Sequence, residues 1–294
     1  MMERVITKNF GIDRLHELEI ARAHGAYASL GALRSMEPDG IAALVAESGL
    51  RGRGGAGFPT GRKWGFVPRN ADKPVYLVVN ADESEPGTFK DRAILEHDPH
   101  LLIEGIVIAA YAIGARTVYA YFRGEYHRPQ QRFMAAVAEA KDAGLLTTPR
   151  FEIEIVPHRG AGAYICGEET ALLGSIQGVR GQPRAKPPFP AVEGLFGCPT
   201  IVNNVETLAA LPFIVREGAV AYRAIGTERS PGTKLISACG HINAPGVYEV
   251  EMGTPLASFL ANECGGTLEE RALKAIVPGG PSVPVLTASE ALGA

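Results

Sequence analysis

The strongest constraint on the fold is an alternation of short apolar runs with helical segments between residues 74 and 156. Pro74-Val75-Tyr76-Leu77-Val78-Val79-Asn80 is apolar and β-rich with no polar face, as a strand buried on both sides reads. Leu101 to Tyr111 continues as a helix that stops at Gly114, and Arg116 to Phe122 is a second strand. A helix from Pro129 through Ala143 ends at Gly144, and Phe151 to Val156 gives a third strand. Strands in regular alternation with helices predict an α/β chain: a layered, Rossmann-like domain on a largely parallel sheet. From about Thr233 the pattern changes. Lys234 to Ala238 and Gly246 to Glu251 read as strands about a Pro245-Gly246 turn. Thr254 is placed to cap a helix with Pro255 at its first position, and Leu273 to Val277 is again a strand. This order suggests a small β-grasp-like module, so we expect one domain over 1–231 and a second over 232–294.

Composition narrows the function classes. A formal charge of −3 argues against a nucleic-acid partner. The longest apolar stretch, Leu101 to Ile113, is interrupted by Glu104 and falls short of the roughly 18 residues of a membrane span, so no membrane insertion is expected. No secretory leader is evident, and the four cysteines, Cys166, Cys198, Cys239 and Cys264, contain no Cys-x-x-Cys. Reduced cytoplasmic thiols are the expectation. The histidines lack ligand spacing and no Ser-His-Asp arrangement stands out, so zinc and hydrolase chemistry are poorly supported.

Four motifs could carry chemistry. Residues 51–63 read Arg-Gly-Arg-Gly-Gly-Ala-Gly-Phe-Pro-Thr-Gly-Arg-Lys, and such a loop either flexes at the surface or brings backbone N–H groups against a flat or anionic ligand. It matches neither a Walker loop nor a dinucleotide fingerprint, because the preceding residues Ile41 to Glu47 are helix-like. Arg51, Arg53, Arg62 and Lys63 favour a polyphosphate. Asn80-Ala81-Asp82-Glu83-Ser84-Glu85-Pro86-Gly87 follows the first strand, where open sheets bind ligands; its carboxylates suit ribose hydroxyls, a heterocyclic N–H edge, a metal ion or plain solvent. In Arg159 to Thr170 three close glycines and Tyr164 precede Glu168 and Glu169, which complement a helix dipole. Asn203 and Glu206 have capping-box spacing, and a helix beginning there with Asn204 and Thr207 on its first turn would receive a phosphate. Between the last two motifs, the proline-stiffened loop Pro183 to Pro190 presents Phe189 for stacking or serves as an extended linker.

Taken in order, residues 49–61, 80–88, 160–172 and 203–207 resemble the NADH-binding flavoprotein subunit of respiratory complex I, the family of F-type subunits of NADH-quinone oxidoreductases. Diaphorase subunits of NAD-linked hydrogenases and formate dehydrogenases share this pattern. The resemblance implies bound FMN and NADH as hydride donor, with the cofactors rather than a protein acid or base performing the chemistry. Residues matching the flavin pocket are Gly52, Gly54, Lys63, Asn80, Asp82, Ser84, Tyr164, Gly167, Glu168, Val202, Asn203, Asn204 and Thr207. On the NADH side Phe58, Phe66 and Phe189 match the adenine-stacking positions, with Lys63, Glu83, Glu85 and Glu169 near ribose or nicotinamide. The carboxylates would disfavour the extra phosphate of NADPH. The C-terminal module resembles the soluble ligand-binding β-grasp domain of the family. Family members continue into a helical domain whose cysteines hold a [4Fe–4S] cluster; that motif is absent here, which suggests a fragment of a longer subunit. Expected partners are other subunits of a respiratory, quinone-reducing or soluble NAD-linked redox complex. The expected location is cytoplasmic or peripheral on the cytoplasmic side of the inner membrane. A truncated, non-catalytic assembly module is the competing reading.

Overall fold

The computed structural model describes residues 4–68 and 72–293. The outer limits of the two expected domains, residues 1 and 294, lie outside it. The elements run α1 (Leu18–Ala23), α2 (Pro38–Glu47), α3 (Thr60–Trp64), β1 (Val75–Ala81), α4 (Lys90–His97), α5 (Pro99–Ile113), β2 (Ala115–Phe122), α6 (His127–Asp142), β3 (Glu154–Arg159), α7 (Glu169–Ile176), β4 (Thr200–Asn204), α8 (Val205–Ala209) and α9 (Leu211–Arg223). Strands β1 to β4 form one parallel sheet in the order β3-β2-β1-β4. The alternation of strand and helix thus predicts the layered α/β class correctly.

Residues of period two sort to the two faces of the sheet. Leu77, Val79 and Ala81 of β1, with Val118, Ala120 and Phe122 of β2, enter the main core against α5. Val78, Tyr121 and Val202 pack on the opposite face with Leu172 and Leu173 of α7. Each large apolar side chain buried this way contributes about 1.5–3 kcal/mol relative to exposure. Helix α5 is apolar nearly all round because it is covered all round. Asp98 caps it by accepting from Leu101 N at 3.0 Å, and Gly114 ends it in the left-handed region at φ 77°. A Cβ on Gly105 would lie 2.0 Å from Leu208 O, so only glycine lets α5 and α8 approach this closely. Glu104, whose charge breaks the apolar run, is satisfied inside by Tyr27 N at 2.8 Å and Ser29 N at 2.9 Å.

Three local expectations are corrected. The third strand runs Glu154–Arg159 rather than from Phe151, because Thr148 folds residues 148–151 into a turn through Thr148 N to Phe151 O at 2.8 Å and Phe151 N to Thr148 Oγ1 at 3.0 Å. Pro157 is tolerated because β3 is an edge strand. Beyond β5 (Gly226–Thr227) and β6 (Ser230–Pro231), the C-terminal module contains β7 (Thr233–Ala238), β8 (Gly246–Glu251), α10 (Leu256–Asn262), β9 (Ala275–Ile276), β10 (Leu286–Thr287) and α11 (Ala288–Leu292). Pro255 is the N-cap of α10; the Thr254 hydroxyl donates instead to Glu251 O at 2.8 Å. Of Leu273 to Val277 only Ala275–Ile276 is strand, paired with Leu286–Thr287.

Candidate functional site

Strands β1, β2 and β3 succeed one another to one side of the sheet, and β4 pairs on the other side of β1. The order reverses between β1 and β4, where open α/β sheets leave a crevice beyond the carboxyl ends of their strands. A cavity of about 1090 Å³ opens there. Gly54, Asn80, Asp82, Glu83, Ser84, Glu85, Tyr164, Gly167, Glu168 and Asn204 line it, together with the strands and loops of the C-terminal module. Residues far apart in sequence therefore meet here, whereas Gly52, Phe58, Lys63, Phe66, Glu169, Phe189, Val202, Asn203 and Thr207 lie outside the lining.

The glycine-rich loop is a closed structure. Arg51 pairs with Pro59, Gly52 N donates to Phe58 O at 2.9 Å, and Thr60 N donates to Leu50 O at 2.8 Å. Gly52 is thus part of the neck, while Gly54 and Gly55 at the tip face the cavity. A Cβ on Gly61 would come within 2.4 Å of the Ala46 backbone, so this glycine packs α3 on α2. Arg53 is not free for a phosphate as its residue type suggests. Its guanidinium is buried and donates to Thr233 O at 2.9 Å and Pro231 O at 3.1 Å, tying the loop to the C-terminal module. Its backbone N–H donates to Thr207 Oγ1 at 2.9 Å, and Thr207 is fully buried, away from the cavity lining.

The acidic turn does not gather its carboxylates for a metal. Asp82 accepts from Ser84 Oγ at 2.9 Å, Glu85 from Tyr164 Oη at 2.5 Å, and Glu83 turns inward to accept from Asp91 N at 2.9 Å and Tyr126 Oη at 2.7 Å. Among the described residues no group of three or more His, Cys, Asp or Glu side chains is placed to hold a metal ion. Burial pushes Asp82 up to about 6, with the Ser84 bond offsetting part of the rise. Burial, and next the charge of Asp91, push Glu83 up to about 7. The Oδ1 atom of Asp82 is buried without a hydrogen-bond partner among the described residues. Asn80 Nδ2 donates to Gly167 O at 2.8 Å, holding the second glycine stretch against the end of β1.

At the start of α7 Glu168 is the N-cap, accepting from Thr170 N at 2.9 Å and Ala171 N at 3.0 Å. Glu169 lies between two ammonium groups, Lys63 Nζ at 2.8 Å and Lys186 Nζ at 2.5 Å. Burial alone would raise both carboxyls. For Glu168 the bonds from Thr170 and Ala171 N together with the charge of Lys186, and for Glu169 the charges and bonds of Lys63 and Lys186 together, outweigh it, so both are held below the ordinary value. Lys63 also donates to Val202 O at 2.9 Å. This chain of ion pairs ties the proline loop bearing Phe189 to α3, which Phe58 and Phe66 flank. The three phenylalanines are exposed, and the rings of Phe58 and Phe66 stand 6.1 Å apart.

The capping box at Asn203 is not formed. Asn203 lies within β4, its Oδ1 accepting from Trp64 Nε1 at 3.0 Å, and Asn204 is the N-cap of the five-residue α8, accepting from Glu206 N at 3.0 Å. Glu206 is pulled into the core by Leu235 N at 2.8 Å and Lys90 Nζ at 2.8 Å, so its carboxylate never folds back to the cap. Sequence reading passes over Lys90 and Asp91, which hold the Asn204 amide: Asn204 Nδ2 donates to Asp91 Oδ2 at 2.6 Å. A Lys-Asp pair opening a helix just after an acidic turn was the available signal. Lys186 was visible only as part of a basic loop, because its partners lie across the fold.

These residues suit a flavin nucleotide. A Cβ on Gly54 would crowd Asn204 Cβ at 3.2 Å, one on Gly167 would crowd Asp82 O at 3.4 Å, and the unpartnered Asp82 Oδ1 can accept from a heterocyclic N–H. Residues 45–213 match the Nuo51 FMN-binding domain, and residues 234–294 match the SLBB domain. One of two F-type subunits of the NADH-quinone oxidoreductases of Rhizobium meliloti (strain 1021) is 53% identical over 295 residues, covering 99% of this chain and 70% of that protein. The chain belongs to the family of NADH-quinone oxidoreductase F-type subunits. The family member of Rhodobacter capsulatus is 49% identical, covering 97% of this chain and 68% of its own. An NAD+-reducing [NiFe]-hydrogenase in the H2-reduced state superposes with a TM-score of 0.83 at 41% identity, over 90% of this chain and 45% of that one. The chain spans about two thirds of such curated relatives and under half of the hydrogenase chain.

Proposed function

We propose that this chain is an FMN-dependent NADH-oxidising unit of an NADH:quinone oxidoreductase. Its flavin-binding part extends to residue 231 and the C-terminal module begins at 232. The observation that carries the reading is the convergence of Gly54, Asn80, Asp82, Tyr164, Gly167 and Asn204 on one crevice at the switch point of the sheet. Bound FMN would supply the chemistry, accepting a hydride from NADH and releasing electrons singly to an iron–sulfur cluster on the route to quinone.

The protein's part is placement. Gly54 and Gly167 let a planar group approach backbone, Asp82 accepts from its N–H edge, and Asn80 and Asn204 hold the two walls in register. Phe58, Phe66 and Phe189 offer stacking surface for adenine on the far side of Lys63 and Glu169. No helix among the described residues is long and apolar enough to cross a membrane. We place the unit in the cytoplasm or on the cytoplasmic face of the inner membrane, with NADH and neighbouring subunits of a redox complex as partners. The hydrogenase likeness supports a second reading, a diaphorase subunit, which differs in partners only.

Anaerobic titration of the flavin-stripped protein with FMN and then NADH tests the proposal. Flavin absorbance that appears and is bleached by NADH is expected; colourless protein that takes up no FMN overturns it in favour of a non-catalytic assembly module. In the same assay NADPH is expected to bleach the flavin far more slowly, because its extra phosphate meets Glu85, Glu168 and Glu169. Equal rates would remove that role from the carboxylates.

A further inference from the structure

The cavity is electrically divided. Asp82, Glu83, Glu85 and Glu168 gather at the ends of β1 and the start of α7, whereas Lys90 and Lys234 stand near the tip of the glycine loop and Asn204; Arg271, paired with Glu269, and Lys274 line the cavity from the segment before β9. FMN is a planar ring joined to a phosphate dianion, and like charges close together in such a site cost several kcal/mol. The phosphate end therefore belongs with the cations. Of these, Lys90 is committed: its ammonium lies 2.7 Å from Asp91 Oδ1 and 2.8 Å from Glu206 Oε2. Arg53 is spent on the carbonyls of Thr233 and Pro231.

Lys234 differs. It is the second residue of β7, between two residues pinned to this wall. Thr233 O accepts from the Arg53 guanidinium, and Leu235 N donates to Glu206 Oε1 at 2.8 Å. Thr233 and Leu235 are buried, and strand alternation sends the Lys234 side chain the other way, into the cavity it lines with Gly54, Gly55 and Asn204. Among the described residues its ammonium has neither a hydrogen bond nor an ion pair to a protein group. It is open to the cavity's water, yet enough protein surrounds it to hold it below the ordinary lysine value. Burial is the main cause; Glu206 opposes the shift, and Lys90 and Arg53 add to it. A cation so placed is stabilised by an anion.

We propose that Lys234, contributed by the C-terminal module, is the phosphate ligand of the bound FMN, so that the site is complete only with that module in place. The proposal rests on the flavin reading above. The ammonium would donate a charge-assisted hydrogen bond to a phosphate oxygen and offset one of the two negative charges. Riboflavin, the same ring without the phosphate, gains nothing from it.

The test measures FMN and riboflavin dissociation constants by flavin fluorescence, using flavin-stripped wild-type chain, Lys234→Gln and Lys234→Arg. Lys234→Gln is expected to lower the preference for FMN over riboflavin about tenfold, and Lys234→Arg to restore most of it. The FMN affinity of wild type should also weaken with added salt more steeply than that of Lys234→Gln. An unchanged FMN-to-riboflavin ratio in Lys234→Gln overturns the assignment, whether both affinities persist or both fall together as a folding defect would cause. Wild-type protein that binds neither flavin refutes the reading of the site itself, a result distinct from either.

Discussion

Two neighbouring acidic pairs, Asp82 with Glu83 in the cavity and Glu168 with Glu169 at its edge, hold protons with opposite tenacity. The first pair is pushed up, to about 6 and about 7, while the second is held below the ordinary carboxylate value. Burial acts on all four in the same direction but is deepest at Asp82 and Glu83. Cations and donors widen the difference. Glu169 sits between Lys63 and Lys186, and Glu168 collects helix N–H groups; Asp82 has one hydroxyl, and Glu83 has Asp91 beside it. One side of the site is thus permanently anionic near neutrality, while the other can change its protonation there.

The largest expected effect comes from removing a cation where carboxylates are most buried. Lys90→Met leaves Asp91 and Glu206 uncompensated, and breaking such a buried pair typically costs about 3–5 kcal/mol. Urea unfolding at pH 7 should show that loss. A loss below about 1 kcal/mol would mean that Lys90 is not the group that compensates them.

Asp82→Asn tests the opposite case. The folded state raises this group from 3.8 to about 6, so its contribution to stability is full below about pH 4 and is lost as pH rises through about 6. The neutral isostere should remove that decline and leave the variant about 1–3 kcal/mol more stable at pH 7, by the worth of a pKa unit. Identical stability-against-pH curves for variant and wild type would break the contrast. Any decrease in FMN affinity would report the acceptor role separately.

The smallest effects belong to the two lysines at Glu169. Lys63 also serves Val202 O, so Lys63→Met should cost about 1–2 kcal/mol, and the more open Lys186→Met less than about 1 kcal/mol. Thermal unfolding of both proteins checks the order. A reversed order would place the stabilising contact on the proline loop instead of on α3.

The layered α/β class, the helix stop at Gly114 and the β1 strand were all legible, because apolar β-rich runs and left-handed glycines are written locally. The four motifs were legible as candidate binding segments, and parts of each line one cavity at the carboxyl ends of the strands. The role of Asn203 was not. Its capping-box spacing is a local signal, but Glu206 is drawn away by Lys90 and Leu235, which lie 116 and 29 residues distant in sequence. Arg53 likewise read as a phosphate ligand and is spent on carbonyls about 180 residues away.

By itself, the sequence determined which segments form strands and helices and which residue types are available to meet a cofactor, since propensity, periodicity and glycine freedom act over a few residues. Only the tertiary structure decided which charges are compensated. Coulombic and hydrogen-bond partners depend on distance in space: Glu169 is set by Lys63 across the fold, and Lys234 reaches the glycine loop only because Arg53 and Glu206 pin its strand there.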